Sequence, residues 1–278
     1  MIVHLIDGTY ELYRHFYGLR RFNKGIDKPF GAVVGVLNTV LQMVEEGATH
    51  LGVATDHVIE SFRNELWPGY KTGAGMEPAL WAQFHPLEDA LRAMGVATWA
   101  MTDLEADDGL ASAAQLAASE PGTQQVCIWS PDKDLAQCVR DDLVVQVDRR
   151  SKEIRNAAGV RAKFGVEPQR IPDFLALVGD AADGYPGIPG IGKVGAARLI
   201  HQHGPLESFP ASVLGAHRDL ALLFKRLATL KTDAPLFGSV EELSWRGPSA
   251  RFAAIANTLG EPRLIPRGQQ AVSNKLGK

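Results

Sequence analysis

The chain is predicted to be an α/β protein, with a mostly parallel central sheet flanked by helices and a helical subdomain after it. Three observations carry that reading. Between residues 2 and 148, short apolar runs of strand length alternate with stretches whose apolar positions recur at helical spacing. Beyond Asp148 only the helical spacing is left. Acids stand at or just past the end of one strand after another, and in open parallel sheets sites form outside the carboxyl ends of the strands.

Residues 2–6, IVHLI, read as a buried strand that ends at Asp7-Gly8. The following TYELYRHFYGLRRF is aromatic-rich. Tyr10, Tyr13 and Phe16 suit helix packing, while Arg14, Arg20 and Arg21 among them suit phosphate pairing and base stacking. From Phe30 to Glu46, the residues Val33, Val36, Leu37, Val40, Leu41 and Val44 mark a helix. HLGVAT (50–55) is the second strand, with Asp56 at its end. Residues 60–86 are irregular. Arg63, Tyr70 and Lys71 stand beside the glycines of 73–75, in either a mobile gate or an ordinary surface loop. PLEDALRAMG is an amphipathic helix and VATWAM (96–101) the third strand. Glu105, Asp107 and Asp108 come directly before an Ala-rich helix, where capping explains one acid of the group. QVCIWS (125–130) is the fourth strand, and Asp132 and Asp134 lie between it and the next helix; LVVQVD (143–148) is the fifth strand.

Residues 150–235 read as a helical subdomain packed against the sheet edge. Its stretch from Gly179 to Ile200, GDAADGYPGIPGIGKVGAARLI, has two halves. Asp180 and Asp183 are spaced to point the same way on one helical turn. Gly190, Gly192, Lys193 and Gly195 form a hairpin leading into a helix. Glycines there let backbone N–H groups approach a ligand, and such a nest at a helix N-terminus suits a phosphate. The tail, 260–278, is basic and rich in Pro and Gly, and is expected to be poorly ordered or an accessory contact.

The 278 residues are 45% hydrophobic and 22% charged, ordinary values for a soluble globular protein. A net charge of −3 and a pI near 6.2 do not announce a nucleic-acid binder. A metal site, however, neutralises its acids locally. Cys127 and Cys138 give no disulfide framework and fit a reducing cytosol. No apolar segment reaches the ~18 residues of a membrane helix, and MIVHLID is too short for a signal peptide. These features lead to the expectation of a cytosolic protein not associated with a membrane.

Acids gathered on one edge would repel each other unless cations held them. An all-oxygen set, without metal-ligand spacing among the histidines and cysteines, favours Mg²⁺ or Mn²⁺ over zinc. The acids divide into two groups: Asp7, Asp56, Glu105, Asp107 and Asp108 from the first three strand ends, and Asp132, Asp134, Asp180 and Asp183 from the fourth and the helical part. Two groups point to two ions, about 4 Å apart, clamping an in-line phosphoryl displacement. The first group is expected to activate water and stabilise the leaving oxygen, the second to hold the other ion and the scissile phosphate.

LIDGTYELYR, VATDHVIESFRNELWPGYK, EADDGLAS, SPDKDLAQ and GDAADGYPGIPGIGKVGAARL together resemble the 5′ nuclease superfamily over about residues 2–245. That superfamily includes the 5′→3′ exonuclease domain of bacterial DNA polymerase I, bacteriophage 5′ nucleases and flap endonucleases. The likeness is greatest to the polymerase I exonuclease domain, with this chain read as a free-standing bacterial or phage-type member, cytoplasmic and associated with the nucleoid. The resemblance implies a PIN/FEN-like domain over 1–150 with an arch region at about 60–86. It also implies a helical subdomain over 151–245 with a helix–three-turn–helix DNA-binding motif at about 175–203, and an extension over 246–278. It implies magnesium-dependent cleavage near 5′ ends of flap, branched or nicked DNA, and of RNA in hybrids, with all nine acids as metal ligands. By the same resemblance Gly190, Gly192, Lys193 and Gly195 grip duplex phosphates beside a potassium ion, Tyr70 stacks on a displaced base, and Arg63 and Lys71 hold the scissile phosphate.

Two departures stand out. Ala74 replaces a usual Arg, which removes one phosphate contact. Gly184 follows Asp183 where Asn is common, which removes a hydrogen bond beside the carboxylate. Two other readings compete: a DNA-structure-binding accessory protein with weak catalysis, opposed by the complete acid set, and a PIN-type ribonuclease, opposed by the hairpin at 187–199.

Overall fold

The computed structural model describes residues 1–22 and 29–276; the side chains of Arg20 and Arg21 lie outside that set. Strands β1 (Ile2–Asp7), β2 (His50–Asp56), β3 (Ala97–Met101), β4 (Gln125–Trp129) and β5 (Val144–Asp148) run parallel. A short β6 (Glu153–Arg155) closes one edge antiparallel to β5. The order is β3-β2-β1-β4-β5-β6, so the direction of winding reverses between β1 and β4. Open α/β sheets form their crevice at that point, outside the carboxyl ends.

Both faces of the sheet are covered, which is why its central strands are apolar almost throughout. Helices α1 (Gly8–Phe22) and α2 (Gly31–Glu45) lie on one face. After two short helices, α3 (Phe62–Leu66) and α4 (Pro78–Trp81), α5 (Phe84–Ala93) joins them over Ile6, Leu51 and Val53. The other face, with Val3, Leu5 and Ala54, packs on α6 (Ala106–Ser119). Next come α7 (Ala157–Phe164), α8 (Ile171–Val178), α9 (Lys193–His203), α10 (Ala211–Leu214) and α11 (Arg218–Ala228). They share a separate core around Phe174, Leu177, Ile200 and Phe224. Asn156 caps α7 by accepting the Gly159 N–H at 3.1 Å, and Gly165 ends it at a φ of 74°. Among the described residues no helix is long and apolar enough to cross a membrane.

Several expectations are corrected. The sheet extends past residue 150, because β6 returns antiparallel to β5. Asp132 precedes, and Asp134 begins, a short 3₁₀ helix, Asp134–Cys138, in place of an α-helix. Leu230, Val240 and Leu243 leave the helical part and pack on the α6 face of the sheet. The tail is helical as far as Leu276: α12 (Phe252–Thr258) and α13 (Leu264–Leu276) return to the α2 and α5 face, burying Phe252, Leu264 and Ala271. Arg267 pairs with Glu45 at 2.9 Å. Pro266 falls in the first turn of α13, where a missing N–H costs nothing. A Cβ at Gly268 would lie 2.8 Å from Pro248, so this glycine marks a close approach and not a break.

A candidate metal centre and nucleic-acid interface

Asp7 ends β1 and Asp56 ends β2. Asp7 Oδ1 accepts the Tyr10 N–H at 2.8 Å, and Oδ2 accepts the Ser130 hydroxyl at 2.9 Å. Asp56 Oδ1 accepts the Ala106 N–H at 2.8 Å, which ties β2 to the first turn of α6. Asp107, in that turn, feels the charges of Asp7 and Asp132 across the same crevice. Asp132 stands at the rim, and its Oδ1 accepts the Asp134 N–H at 2.9 Å.

Asp180 and Asp183 are not on a helical turn. They occupy a tight turn closed by backbone hydrogen bonds between Asp180 and Tyr185, 2.8 and 3.0 Å long. The turn still points both carboxylates one way. One oxygen from each of Asp134, Asp180 and Asp183 lies within 4.8 Å of the others, and all three residues are buried. Asp134 Oδ1 is buried without a hydrogen-bond partner. A buried carboxylate oxygen left unpaired is costly unless a cation takes it. The donor set, oxygens only, suits a hard divalent ion.

The two groups of acids form one electrostatic array. Burial, then Asp132 and Asp7, push the Asp107 carboxyl well above the usual range. Burial, then Asp132, Asp183 and Asp180, do the same to Asp134. Burial is also the main cause at Asp7, raised to about 7, and at Asp183, raised to about 6 against the pull of Lys71. A carboxyl that binds its proton more tightly when folded destabilises the fold as it is forced to ionise. Stability of the metal-free protein therefore falls as pH rises from about 4, the unfolded value, to about 7. Thermal melts in chelator should show a lower Tm at pH 8 than at pH 5, and a divalent ion should raise Tm far more at pH 8.

Two lysines reach into the array. Lys71 Nζ bridges Glu105 Oε2 at 2.6 Å and Asp183 Oδ1 at 3.2 Å. Burial opposes its charge, but Glu105 and Asp183 outweigh that and hold the ammonium protonated. Lys133, which the sequence alone did not single out, contacts Asp180 Oδ1 at 2.6 Å. Ser130 was missed as well. The only signal for both was their place inside SPDKD, flanking the acids.

Five expected site residues, Arg63, Asp108, Tyr70, Arg14 and Glu105, are engaged by other protein groups. Arg63 is 1% exposed, and every guanidinium nitrogen is engaged. It clamps both oxygens of Asp108 at 2.7 and 2.8 Å, reaches Glu105 at 2.9 Å, and donates to the Leu227 and Thr229 carbonyls. No donor remains for a phosphate. Asp108 in turn accepts from the Glu105 and Lys231 N–H groups, at 3.0 and 2.8 Å, so four donors fill its two oxygens. Tyr70 is 4% exposed and packs in the helical core, with its hydroxyl donating to Glu105 at 3.3 Å, so its ring is not open to a base. Arg14 is held on α1 by Glu11, at 3.2 Å from Nε. Glu105 itself accepts from Ser61, Arg63, Tyr70 and Lys71, and the cations hold its carboxyl below the usual range although burial opposes them.

The segment after α3 contacts the sheet domain at several points. Gly73 N–H donates to Glu60 at 3.0 Å, and Met76 packs on the α2 core; Ala74 is exposed on this loop. At its base Trp67 Nε1 donates to the Gly184 carbonyl at 3.0 Å, and the Lys71 N–H donates to the Asp183 carbonyl at 3.1 Å. Gly184 has a φ of 83°, and a Cβ there would lie 1.9 Å from the Gly69 carbonyl oxygen. The missing side chain thus admits the loop that carries Lys71. Gly184→Ala should cost at least about 2 kcal/mol through strain and clash. A denaturant melt, with cleavage assayed below the transition, would show both the lost stability and the displaced lysine.

On the helical side, Gly192 caps α9, and Lys193 is exposed in its first turn. Nothing lies within 4 Å of a Cβ placed at Gly190 or Gly192, and only Ile191, at 3.9 Å, near one at Gly195. The N–H groups there open to solvent at the positive end of the helix. A cleft of about 450 Å³ with Tyr10, Asp132, Lys133, Lys163 and Lys193 in its walls runs between this helix start and the acids.

Comparison with known proteins gives the family and the fold. Residues 2–165 match the family described as 5′-3′ exonuclease, N-terminal resolvase-like domain, and residues 166–251 match 5′-3′ exonuclease, C-terminal SAM fold. DNA polymerase I of Bacillus caldotenax is 34% identical over 98% of this chain, which spans 33% of that protein's length. A 5′-3′ exonuclease of Buchnera aphidicola subsp. Baizongia pistaciae is 32% identical over 82% of this chain and 81% of its own. The flap endonuclease of bacteriophage T5, solved in complex with DNA and metal ions, superposes with a TM-score of 0.66 at 18% identity over 98% of each chain, a likeness of fold. With two family models end to end over most of its length, the chain belongs to the 5′-3′ exonuclease family.

Proposed function

We propose that the chain is a metal-dependent, structure-specific 5′ nuclease. It hydrolyses DNA phosphodiester bonds near 5′ ends or flap junctions in replication or repair, with RNA–DNA hybrids as further substrates. One observation carries this: buried Asp134, with an unpaired oxygen, joins the strand-end acids to Asp180 and Asp183 beside an open helix start. The DNA and metal ions in the bacteriophage T5 structure support it.

Asp134, Asp180 and Asp183 would hold one divalent ion, with Asp132 at its rim; Asp7, Asp56 and Asp107 would hold a second. Such ions supply Lewis acidity at the scissile phosphate. Magnesium, with manganese as substitute, fits the oxygen donors. Glu105 and Asp108 anchor the site through Lys71 and Arg63. Lys71, charged and seated between Glu105 and Asp183, would contact an oxygen of the scissile phosphate. The N–H groups at Gly190, Gly192 and Gly195, with Lys193, bind the backbone of the duplex; the potassium ion there rests on the family resemblance alone.

The test is cleavage of an end-labelled 5′-flap duplex with magnesium and with chelator, beside Asp132→Asn. Expected are cuts near the junction, none in chelator, and about a 10²- to 10³-fold loss in the variant. Full-rate cutting by the variant, or cutting in chelator, would overturn the proposal. Tight flap binding without cutting would favour the accessory DNA-binding reading.

A further inference from the structure

Beside Asp56, on the flank of the acids away from the glycine hairpin, lies a half-exposed aromatic strip. His57 follows Asp56 directly at the end of β2, and its N–H donates to the Met101 carbonyl at 2.9 Å. The His85 ring stacks on the His57 ring, with centroids 4.3 Å apart and planes 9° apart. Trp81, 41% exposed, continues the strip 6.4 Å from His85 and 5.1 Å from Phe84. Tyr13, edge-on to Phe84, feels the charges of Asp56 and Lys71, so the strip borders the acid array.

The rings are held in place more firmly than surface packing requires. Glu88 is 2% exposed, and its Oε2 lies 2.9 Å from His57 Nδ1, while its Oε1 accepts the Thr55 hydroxyl at 3.0 Å. His85 Nε2 lies 3.3 Å from the His57 carbonyl oxygen. A buried carboxylate thus fixes a half-exposed imidazole, and that imidazole fixes an exposed one. Parallel rings at this spacing present the surface on which a nucleobase stacks without regard to its sequence.

We propose that His57, His85 and Trp81 form a stacking platform for unpaired nucleobases on the 5′ side of the substrate. The duplex lies at the hairpin flank, the reacting phosphate at the acids, and the single-stranded segment passes over this strip. The inference rests on the nuclease reading and adds to it where the unpaired strand goes.

The experiment compares kcat/KM on a 5′-flap duplex and on a nicked duplex without a flap, for wild type, His85→Ala, Trp81→Ala and His85→Phe. The flap-to-nick ratio should fall about 5- to 100-fold in the two alanine variants, through KM, and hold in His85→Phe, which keeps a ring. An unchanged ratio, or an equal loss on both substrates, would overturn the platform. A thermal melt of His85→Ala identifies a folding defect, in which case the ratio for Trp81→Ala decides. Should wild type cut neither substrate, the nuclease reading fails by itself. The platform is then judged by anisotropy of a labelled single-stranded oligonucleotide in chelator. Weaker binding by His85→Ala than by His85→Phe supports it, and equal binding rejects it.

Discussion

Asp134→Asn should lose about 10²- to 10³-fold in cleavage rate while the metal-free protein becomes more stable. The two effects share a cause. Asp134 is buried, has an oxygen without a partner, and stands among Asp132, Asp180 and Asp183. Without a cation its charge is unfavourable, and burial with those neighbours pushes its carboxyl well above the usual range. The amide keeps the shape and removes the charge. The variant's Tm in chelator should therefore fall less between pH 5 and pH 8 than that of wild type, and magnesium should raise it less. Asp142→Asn, at an exposed position outside the array, is the control. A variant both inactive and less stable at pH 8 would mean that Asp134 is held by protein donors and not by an ion.

The array was legible in the sequence because strand ends are. IVHLI, HLGVAT and QVCIWS are apolar because they are covered on both faces, and the acids that follow fall on the carboxyl edge for that reason alone. The hairpin was legible through its glycines, which meet open space at Gly190 and Gly192. What the sequence hid was which polar groups bind each other. Arg63 meets carbonyls at Leu227 and Thr229, more than 160 positions away, and no local pattern announces that. Likewise Asp107 and Asp108 are adjacent in sequence, yet one faces the crevice and the other is filled by four donors. The helix α13 was hidden for another reason: Pro266 and Gly268 are tolerated by its first turn and by a close neighbour, neither visible in composition.

Arg63→Met should unfold the protein well before it alters chemistry, by about 3–5 kcal/mol. Its guanidinium pairs with Asp108, 0% exposed, and Glu105, 4% exposed, in a place water does not reach. Removing the cation takes two of the four donors of Asp108 and one of those of Glu105, together with the donors of two carbonyls, and leaves buried negative charge without its closest counter-charge. For a chain of this size each kcal/mol is worth about 2–4 °C, so Tm should drop by roughly 10 °C. The same clamp joins α3 and α6 to the end of α11, so the sheet domain and the helical part should loosen together. Arg63→Lys keeps a charge but cannot make the bidentate contact, and should fall in between. A phosphate-binding role makes the opposite forecast: an unchanged Tm with a raised KM on flap DNA and a shallower salt dependence. Melting curves beside kinetics at low and high salt separate the two. The fully engaged guanidinium favours the first, and the double variant Arg63→Met/Asp108→Leu, which removes the cation and its closest anion together, should then recover part of the lost stability.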